Sequence, residues 1–318
     1  MLRTIPTDQA DSFDPPGTAP DGGRLPGSLI RIARPKQWVK NLLVFAAPGA
    51  AGVLTHPHPL MLALGAFGIF CLAASGTYCL NDAVDAEADR HHPLKGLRPV
   101  AAGAVSAPWA ISAGAALMAS SIGLAWWMSG YRLALVTAVY VAVSCTYSVR
   151  LKHEPVLDLA CLSSGFILRA IAGGVATGVP LSHWFVIVAS FGSLFLATGK
   201  RSAEYLNLGD TRAVHRPVLG EYPLAFLRSV RLLAASVTIA GYCLWAFERS
   251  AGTGIGHGPH HPIWHELSII PVVLAVLYLE LGFARGRGGV PEELALHDRT
   301  LQALGIVWVM LFAVGVYA

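Results

Sequence analysis

Residues 78–103, YCLNDAVDAEADRHHPLKGLRPVAAG, hold the side chains best suited to chemistry. Asn81, Asp82, Asp85 and Asp89 are spaced so that a helix through them sets the three aspartates along one face. Three carboxylates on one stripe repel unless a cation lies between them. Oxygen donors that leave part of the coordination shell to water and phosphate suit magnesium, so Asn81, Asp82, Asp85 and Asp89 are the candidate metal ligands. Diphosphate as a leaving group explains why Arg90, Lys95 and Arg98 follow at once. A divalent cation neutralises charge on the bridging oxygen while basic side chains hold the outer oxygens. Glu87 falls on another side of the helix and carries less weight. The plain alternative is an acidic helix end that protrudes into water.

Three other stretches add charge. In YSVRLKHEPVLD, residues 147–158, Tyr147, Arg150 and Lys152 are placed to reach a second phosphate, although the two basic residues also suit a simple membrane anchor. Arg169 lies inside the apolar run GFILRAIAGG, where a guanidinium is costly and faces a partner or a polar cavity. Asp158, three helical turns earlier, either pairs with Arg169 or lines the same cavity. In FLATGKRSAEY, Lys200 and Arg201 precede Glu204 within one helical turn; Arg201 can fork onto a phosphate while Glu204 orients a base or a ligand hydroxyl. Asp82, Asp85, Lys200, Arg201 and Glu204 are therefore the candidate catalytic residues, and Tyr147, Lys152 and Arg169 candidate substrate ligands.

Other motifs carry less. The five cysteines all fall in apolar segments without a metal-ligand spacing and read as small packing residues. His257, His260, His261 and His265 read as a solvated Gly/His loop, with a metal site the weaker alternative. Gly165, Gly173 and Gly174 suit close helix approach, not a nucleotide-binding loop.

Membrane-crossing helices must position these groups. Of 318 residues, 54% are hydrophobic and only 13% charged, too few to wet the surface of a soluble body. The apolar stretches are long and unalternating, which excludes a β-barrel and fits helices of about 20 residues. Nine spans are expected near 40–55, 60–80, 101–128, 131–147, 156–175, 182–199, 224–247, 266–284 and 301–317. Basic residues cluster before span one and after spans two, four, six and eight, leaving Arg132 and Arg249 on the other side. That bias places the N-terminus and the loops after spans two, four, six and eight in the cytoplasm. The net charge of +4 then reflects topology and anionic ligands, not nucleic acid. Residues 1–27, rich in Pro, Gly, Asp and Thr, are expected to form a disordered cytoplasmic tail before a catalytic domain at 28–318.

NDAVDAEAD matches the NDxxDxxxD signature of the UbiA superfamily of intramembrane prenyltransferases, and the chain from Arg34 onward resembles that family. The resemblance implies an all-α bundle of nine transmembrane helices whose cavity is capped by cytoplasmic loops. RPKQWVKNLLVFAAP at 34–48, HPLKGLRPVAAG, GFILRAIAGG and TGKRSAE together look like its phosphoribosyl-transferring branch. That branch is actinobacterial and acts in the plasma membrane. It moves phosphoribose from phosphoribosyl diphosphate to decaprenyl or another polyprenyl phosphate, releases diphosphate, and so supplies arabinan precursors of the cell wall. Many superfamily members carry a second aspartate-rich motif after span six; here that place reads KRSAEYLNLGD, which puts a second magnesium site in doubt and disfavours a prenyl diphosphate donor. The resemblance further implies Asp82 and Asp85 as principal Mg2+ ligands with Asn81 and Asp89 completing the shell. Lys36, Lys40, Asn41, Arg98, Lys152, Lys200 and Arg201 are then candidates for holding the donor or the lipid phosphate, in an order left open. Membrane lipids are implied partners, and a homo-oligomer is compatible with the pattern. Transfer of a prenyl chain to an aromatic or quinone precursor is the alternative within the family.

Overall fold

The computed structural model describes residues 25–90, 95–209, 212, 216–251, 262–287, 294 and 297–317. Most of the expected tail, 1–24, and His257, His260 and His261 lie outside the described residues. Every element among the described residues is helical. Helix α1 (Leu25–Ala33) begins three residues inside the expected tail.

The first expected span is not a continuous α-helix. Residues Pro35–Phe45 wind as a 3-10 helix and Ala46–Ala50 form one short α turn, α2. Pro48 has no N–H to give to the Val44 carbonyl, which breaks the α pattern there. Gly173 lies against that carbonyl so closely that a Cβ would collide with it. The 3-10 form has three residues per turn and therefore stacks its side chains in straight columns. Trp38, Asn41 and Val44 form the column that packs inward; Lys36 and Leu42 belong to the exposed one.

Helix α3 (Pro57–Val84) crosses next, and its backbone breaks at Asp85 before the short α4 (Ala86–Arg90). The expected single helix through all three aspartates is thus two pieces. After a turn closed by the Val105 N–H donating to the Pro99 carbonyl, α5 spans Ala107–Val149, later in its start than the expected residue 101. Straight, α5 would run about 65 Å, twice the thickness of a bilayer core. It is interrupted at Ser129 and Gly130, where Gly130 has φ 71°. Its halves fold back on each other, bringing Cys145 Sγ within 3.5 Å of Met118 Sδ. Sequence placed two spans here with their junction at the same point.

Helix α6 spans Leu157–Thr177, and α7 (His183–Leu208) starts at Ser182, whose hydroxyl accepts the Phe185 N–H at 3.1 Å. After the short α8 (Pro217–Glu221) come α9 (Leu224–Ser250), α10 (Pro262–Leu267), α11 (Ile269–Ala284) and α12 (Arg299–Tyr317). Pro271 leaves the Leu267 carbonyl without an i+4 donor, which accounts for the break at Ser268 between α10 and α11. Six described stretches are long and apolar enough to cross a membrane: α3, α5, α6, α9, Ile263–Ala284 and α12.

Helix α3 packs mainly on α5, and α7 on α9, while α6 touches both pairs and the 3-10 segment. Val44, Phe70, Leu133, Tyr140 and Ala172 form one core; Phe195, Ala234, Val276 and Phe283 form another. Large apolar side chains such as Trp127, Leu277 and Met310 cover the outside, a surface suited to lipid rather than water. Between α9 and α11, Arg231 donates from Nε and Nη2 to both oxygens of Glu280 and from Nη1 to Ser202 of α7.

Candidate active site

A cavity of about 630 Å³ opens among the 3-10 segment, α3, α5, α6 and α7. It is lined by eight basic side chains, Arg34, Lys40, Lys95, Arg98, Lys152, Arg169, Lys200 and Arg216, against two acidic ones, Asp85 and Glu204. The 3-10 helix explains its first wall. Arg34, Gln37 and Lys40 recur every three residues and so share the one column that faces the cavity. Lys36, expected beside Lys40, is exposed on the outer column because the backbone is not α-helical.

On α3, Asn81 and Asp85 line the cavity, and Asn81 Nδ2 donates to Asp85 Oδ2 at 3.1 Å. Lys152 reaches Asp85 from the far end of α5. Asp82 is buried behind them, held at Oδ1 by Arg34 and by Arg98 Nη1 at 3.5 Å. Its Oδ2 has no hydrogen-bond partner, the only such buried aspartate oxygen among the described residues. Asp89 is buried and accepts from Arg98 Nη1 at 2.5 Å, so its nearest cation is a guanidinium of the chain itself. Glu87 is exposed and pairs with Arg90 on the other side of the turn, as expected.

These donors fit a hard divalent cation that takes part of its shell from a ligand. Asp82 Oδ2 is buried and uncommitted, and Asn81 and Asp85 at the same helix end bring oxygens to the cavity. Among the described residues no three His, Cys, Asp or Glu side chains group closely enough to hold an ion by themselves. Magnesium bound by one or two carboxylates plus phosphate oxygens has that requirement.

The opposite wall differs from expectation. Arg201 was to fork onto a phosphate, but its side chain is fully buried and forks onto Asp158 instead, Nε to Oδ2 and Nη2 to Oδ1, both at 2.5 Å. Nη1 donates to Glu204 at 2.7 Å, and Nη2 also to the Tyr147 hydroxyl at 3.0 Å. Asp158 is therefore the partner of Arg201, not of Arg169. Lys200, Glu204 and Tyr147 do face the cavity, and Arg216 joins them, 3.7 Å from Glu204.

At the floor, Arg169 donates to Asn41 Oδ1 at 2.6 Å, to the Gly165 carbonyl at 2.6 Å and to the Tyr140 hydroxyl at 2.9 Å. Asn41, expected to touch substrate, is fully buried between Arg169 and Cys71 and orients the arginine. Sequence reasoning passed over Arg34, Gln37, Tyr140 and Arg216 as site residues. Tyr140 had a usable signal, since it stands seven residues before Tyr147 on the same helix face. Lys95, in the loop after α4, is pushed below the usual lysine range by burial, against the pull of nearby Asp89.

The UbiA prenyltransferase family model matches residues 42–291. The chain belongs to this family. It is 44% identical over 306 residues to the decaprenyl-phosphate phosphoribosyltransferase of Corynebacterium glutamicum, covering 95% of this chain and 89% of that one. The Mycobacterium tuberculosis H37Rv protein of the same name is 42% identical over 289 residues, covering 90% and 93%. The fold is similar to that of a UbiA homolog from Archaeoglobus fulgidus solved with GPP and Mg2+, with TM-score 0.67 at 20% identity over 91% of this chain and 98% of that one. Within this UbiA-family bundle Asn81 and Asp85 at the end of α3 and Lys200 and Glu204 of α7 line the same cavity, with Arg201 buried and paired to Glu204.

Proposed function

We propose that the chain transfers a 5-phosphoribosyl group from phosphoribosyl diphosphate to decaprenyl or another polyprenyl phosphate, releasing diphosphate for arabinan precursor synthesis in an actinobacterial plasma membrane. The observation that carries this reading is the balance of eight basic to two acidic side chains around the cavity. Each phosphate monoester brings roughly −1.5 to −2 charge. The donor presents a monoester and a diphosphate, and the acceptor a second monoester. A prenyl diphosphate with an aromatic acid would bring far less charge. The 44% and 42% identical relatives, both named decaprenyl-phosphate phosphoribosyltransferase, support the same choice.

Asn81, Asp82 and Asp85 would hold Mg2+, which when bound supplies charge neutralisation for the departing diphosphate. Arg34 and Arg98 fix Asp82 and line the cavity, where they would meet the outer phosphate oxygens. Lys152 does the same beside Asp85. Lys40, Lys95 and Lys200 face the cavity with them and complete an electrostatic cradle. The acceptor phosphate is already an anion, so attack on the anomeric carbon needs no general base and inverts that centre. Glu204 is engaged by Arg201 and serves to hold the basic wall in place. The apolar helices keep water from competing for the activated sugar.

We further read nine crossings: residues 35–55, α3, the two halves of α5, α6, α7, α9, α10 with α11, and α12. The cavity mouth is then cytoplasmic, and the catalytic body spans 28–318. An impermeant thiol reagent applied to intact cells is expected to label Arg132→Cys and spare Glu87→Cys; the reverse pattern inverts the topology.

Purified protein with Mg2+ should release diphosphate from phosphoribosyl diphosphate only when polyprenyl phosphate is supplied. Prenylation of an aromatic acid from a prenyl diphosphate would defeat the reading.

A further inference from the structure

Three arginines are buried among the described residues: Arg169, Arg201 and Arg231. Arg201 is answered by Asp158 and Glu204, and Arg231 by Glu280. Arg169 is answered only by neutral groups, the Asn41 amide oxygen, the Gly165 carbonyl and the Tyr140 hydroxyl. Its guanidinium also lies over the Tyr140 ring, 4.7 Å from the centroid. A buried cation without a counter-charge is costly in a low-dielectric interior. An anion taken up beside it offsets that cost.

The surroundings leave room for one. Arg169 lines the cavity. Three of its five N–H donors are engaged, so two remain. Residue 165 is glycine, and a Cβ there would stand 3.3 Å from Arg169 Nη1 and 4.0 Å from the Tyr140 ring, closing the space beside the guanidinium. Asn41, pinned by donating to Cys71 Sγ at 3.2 Å, fixes the direction of the guanidinium.

Depth separates this group from the acids at the mouth. Along α6, Arg169 lies eleven residues below Asp158, about 16 Å at the helical rise. Its bond to the Gly165 carbonyl folds the guanidinium back by one turn, leaving it on the order of 10 Å below the level of Asp158. On α3, Cys71, which Asn41 ties to Arg169, lies eleven residues before Asp82, about 16 Å along the helix; one diphosphate held at Asp82 and Asp85 does not span that interval, so the floor answers a second, separate anionic group.

We infer that Arg169 is the receptor for a phosphate monoester, with Asn41 and Tyr140 as the positioning residues that aim it. The inference rests on the proposed phosphoribosyl transfer, in which two monoesters enter the cavity: the 5-phosphate of the donor and the head of the lipid acceptor. Both present the same chemistry to the guanidinium.

Full-length protein in lipid nanodiscs, with Mg2+ present, tests this by titration with inorganic diphosphate, phosphoribosyl diphosphate and decaprenyl phosphate. Arg169→Gln should weaken one monoester ligand roughly 10- to 100-fold while leaving inorganic diphosphate unchanged. Arg169→Lys should recover part of the loss, and Gly165→Ala should weaken the same ligand with the guanidinium still in place. Loss confined to phosphoribosyl diphosphate assigns the donor 5-phosphate; loss confined to decaprenyl phosphate assigns the acceptor. Unchanged affinity for both, or an equal loss for inorganic diphosphate, overturns the inference. Should Arg169→Gln fail to assemble, Gly165→Ala decides, and unaltered binding by it overturns the inference equally. A parent protein that ignores phosphoribosyl diphosphate overturns the transfer reaction and this inference together, whereas a parent that binds it alongside an indifferent Arg169→Gln overturns this inference alone.

Discussion

Asp82 on α3 and Asp158 on α6 are both buried carboxylates gripped by arginine, yet they are used in opposite ways. Both oxygens of Asp158 are saturated, Oδ1 by Tyr147 and Arg201 and Oδ2 by Arg201. Asp82 has one oxygen on Arg34 and one with no partner. A saturated buried pair holds architecture, while an uncommitted buried oxygen demands an explanation. The α7 wall is therefore a closed ionic brace, whereas Asp82 at the end of α3 keeps one buried oxygen uncommitted.

The contrast predicts different symptoms. Asp82→Asn or Asp85→Asn should lower kcat/KM by about 10²- to 10³-fold, the scale of lost electrostatic stabilisation, with the melting temperature in detergent little changed. Asp158→Asn should act chiefly on stability, by about 3 kcal/mol, because it removes the two-point partner of buried Arg201 and leaves Glu204 as its counter-charge. Thermal unfolding beside steady-state kinetics separates the two, and an Asp158→Asn protein that melts like the parent but has lost turnover would erase the distinction.

Lys95 sharpens the comparison from the pH side. Its proton is held less tightly than an ordinary lysine's, because burial disfavours the charge. The cation is present at low pH and is lost as pH rises through that lowered value, so donor binding should weaken at a lower pH than an ordinary lysine would give. In Lys95→Arg the alkaline limb of the kcat/KM profile should move upward; an unmoved limb would show that Lys95 does not set it. The smallest effect is expected at exposed Glu87, where Glu87→Ala should keep activity within about twofold, as befits a surface pair.

Much of this was legible in the residues. The acids at 81–89, the charged turn at 200–204 and the junction near residue 129 follow from spacing and hydropathy, which are local properties. The partner of Asp158 was not legible, because Arg169 and Arg201 both lie within reach of any helix-packing guess and only the tertiary arrangement chooses. Lys36 was misassigned for a different reason. An α-helix sets residues four apart on one side, whereas the winding actually adopted sets every third residue in line, so Arg34, Gln37 and Lys40 face inward together. Pro48 and Gly173 hinted at that winding, but they are 125 positions apart in the chain.

The contact between Gly173 and the Val44 carbonyl also bears on how the chain matures. Asn41 is fastened to Arg169, a residue made 128 positions later during synthesis. The stretch that leaves the ribosome first can take its final seat only after α6 has emerged, so the pocket is finished by its oldest residues last.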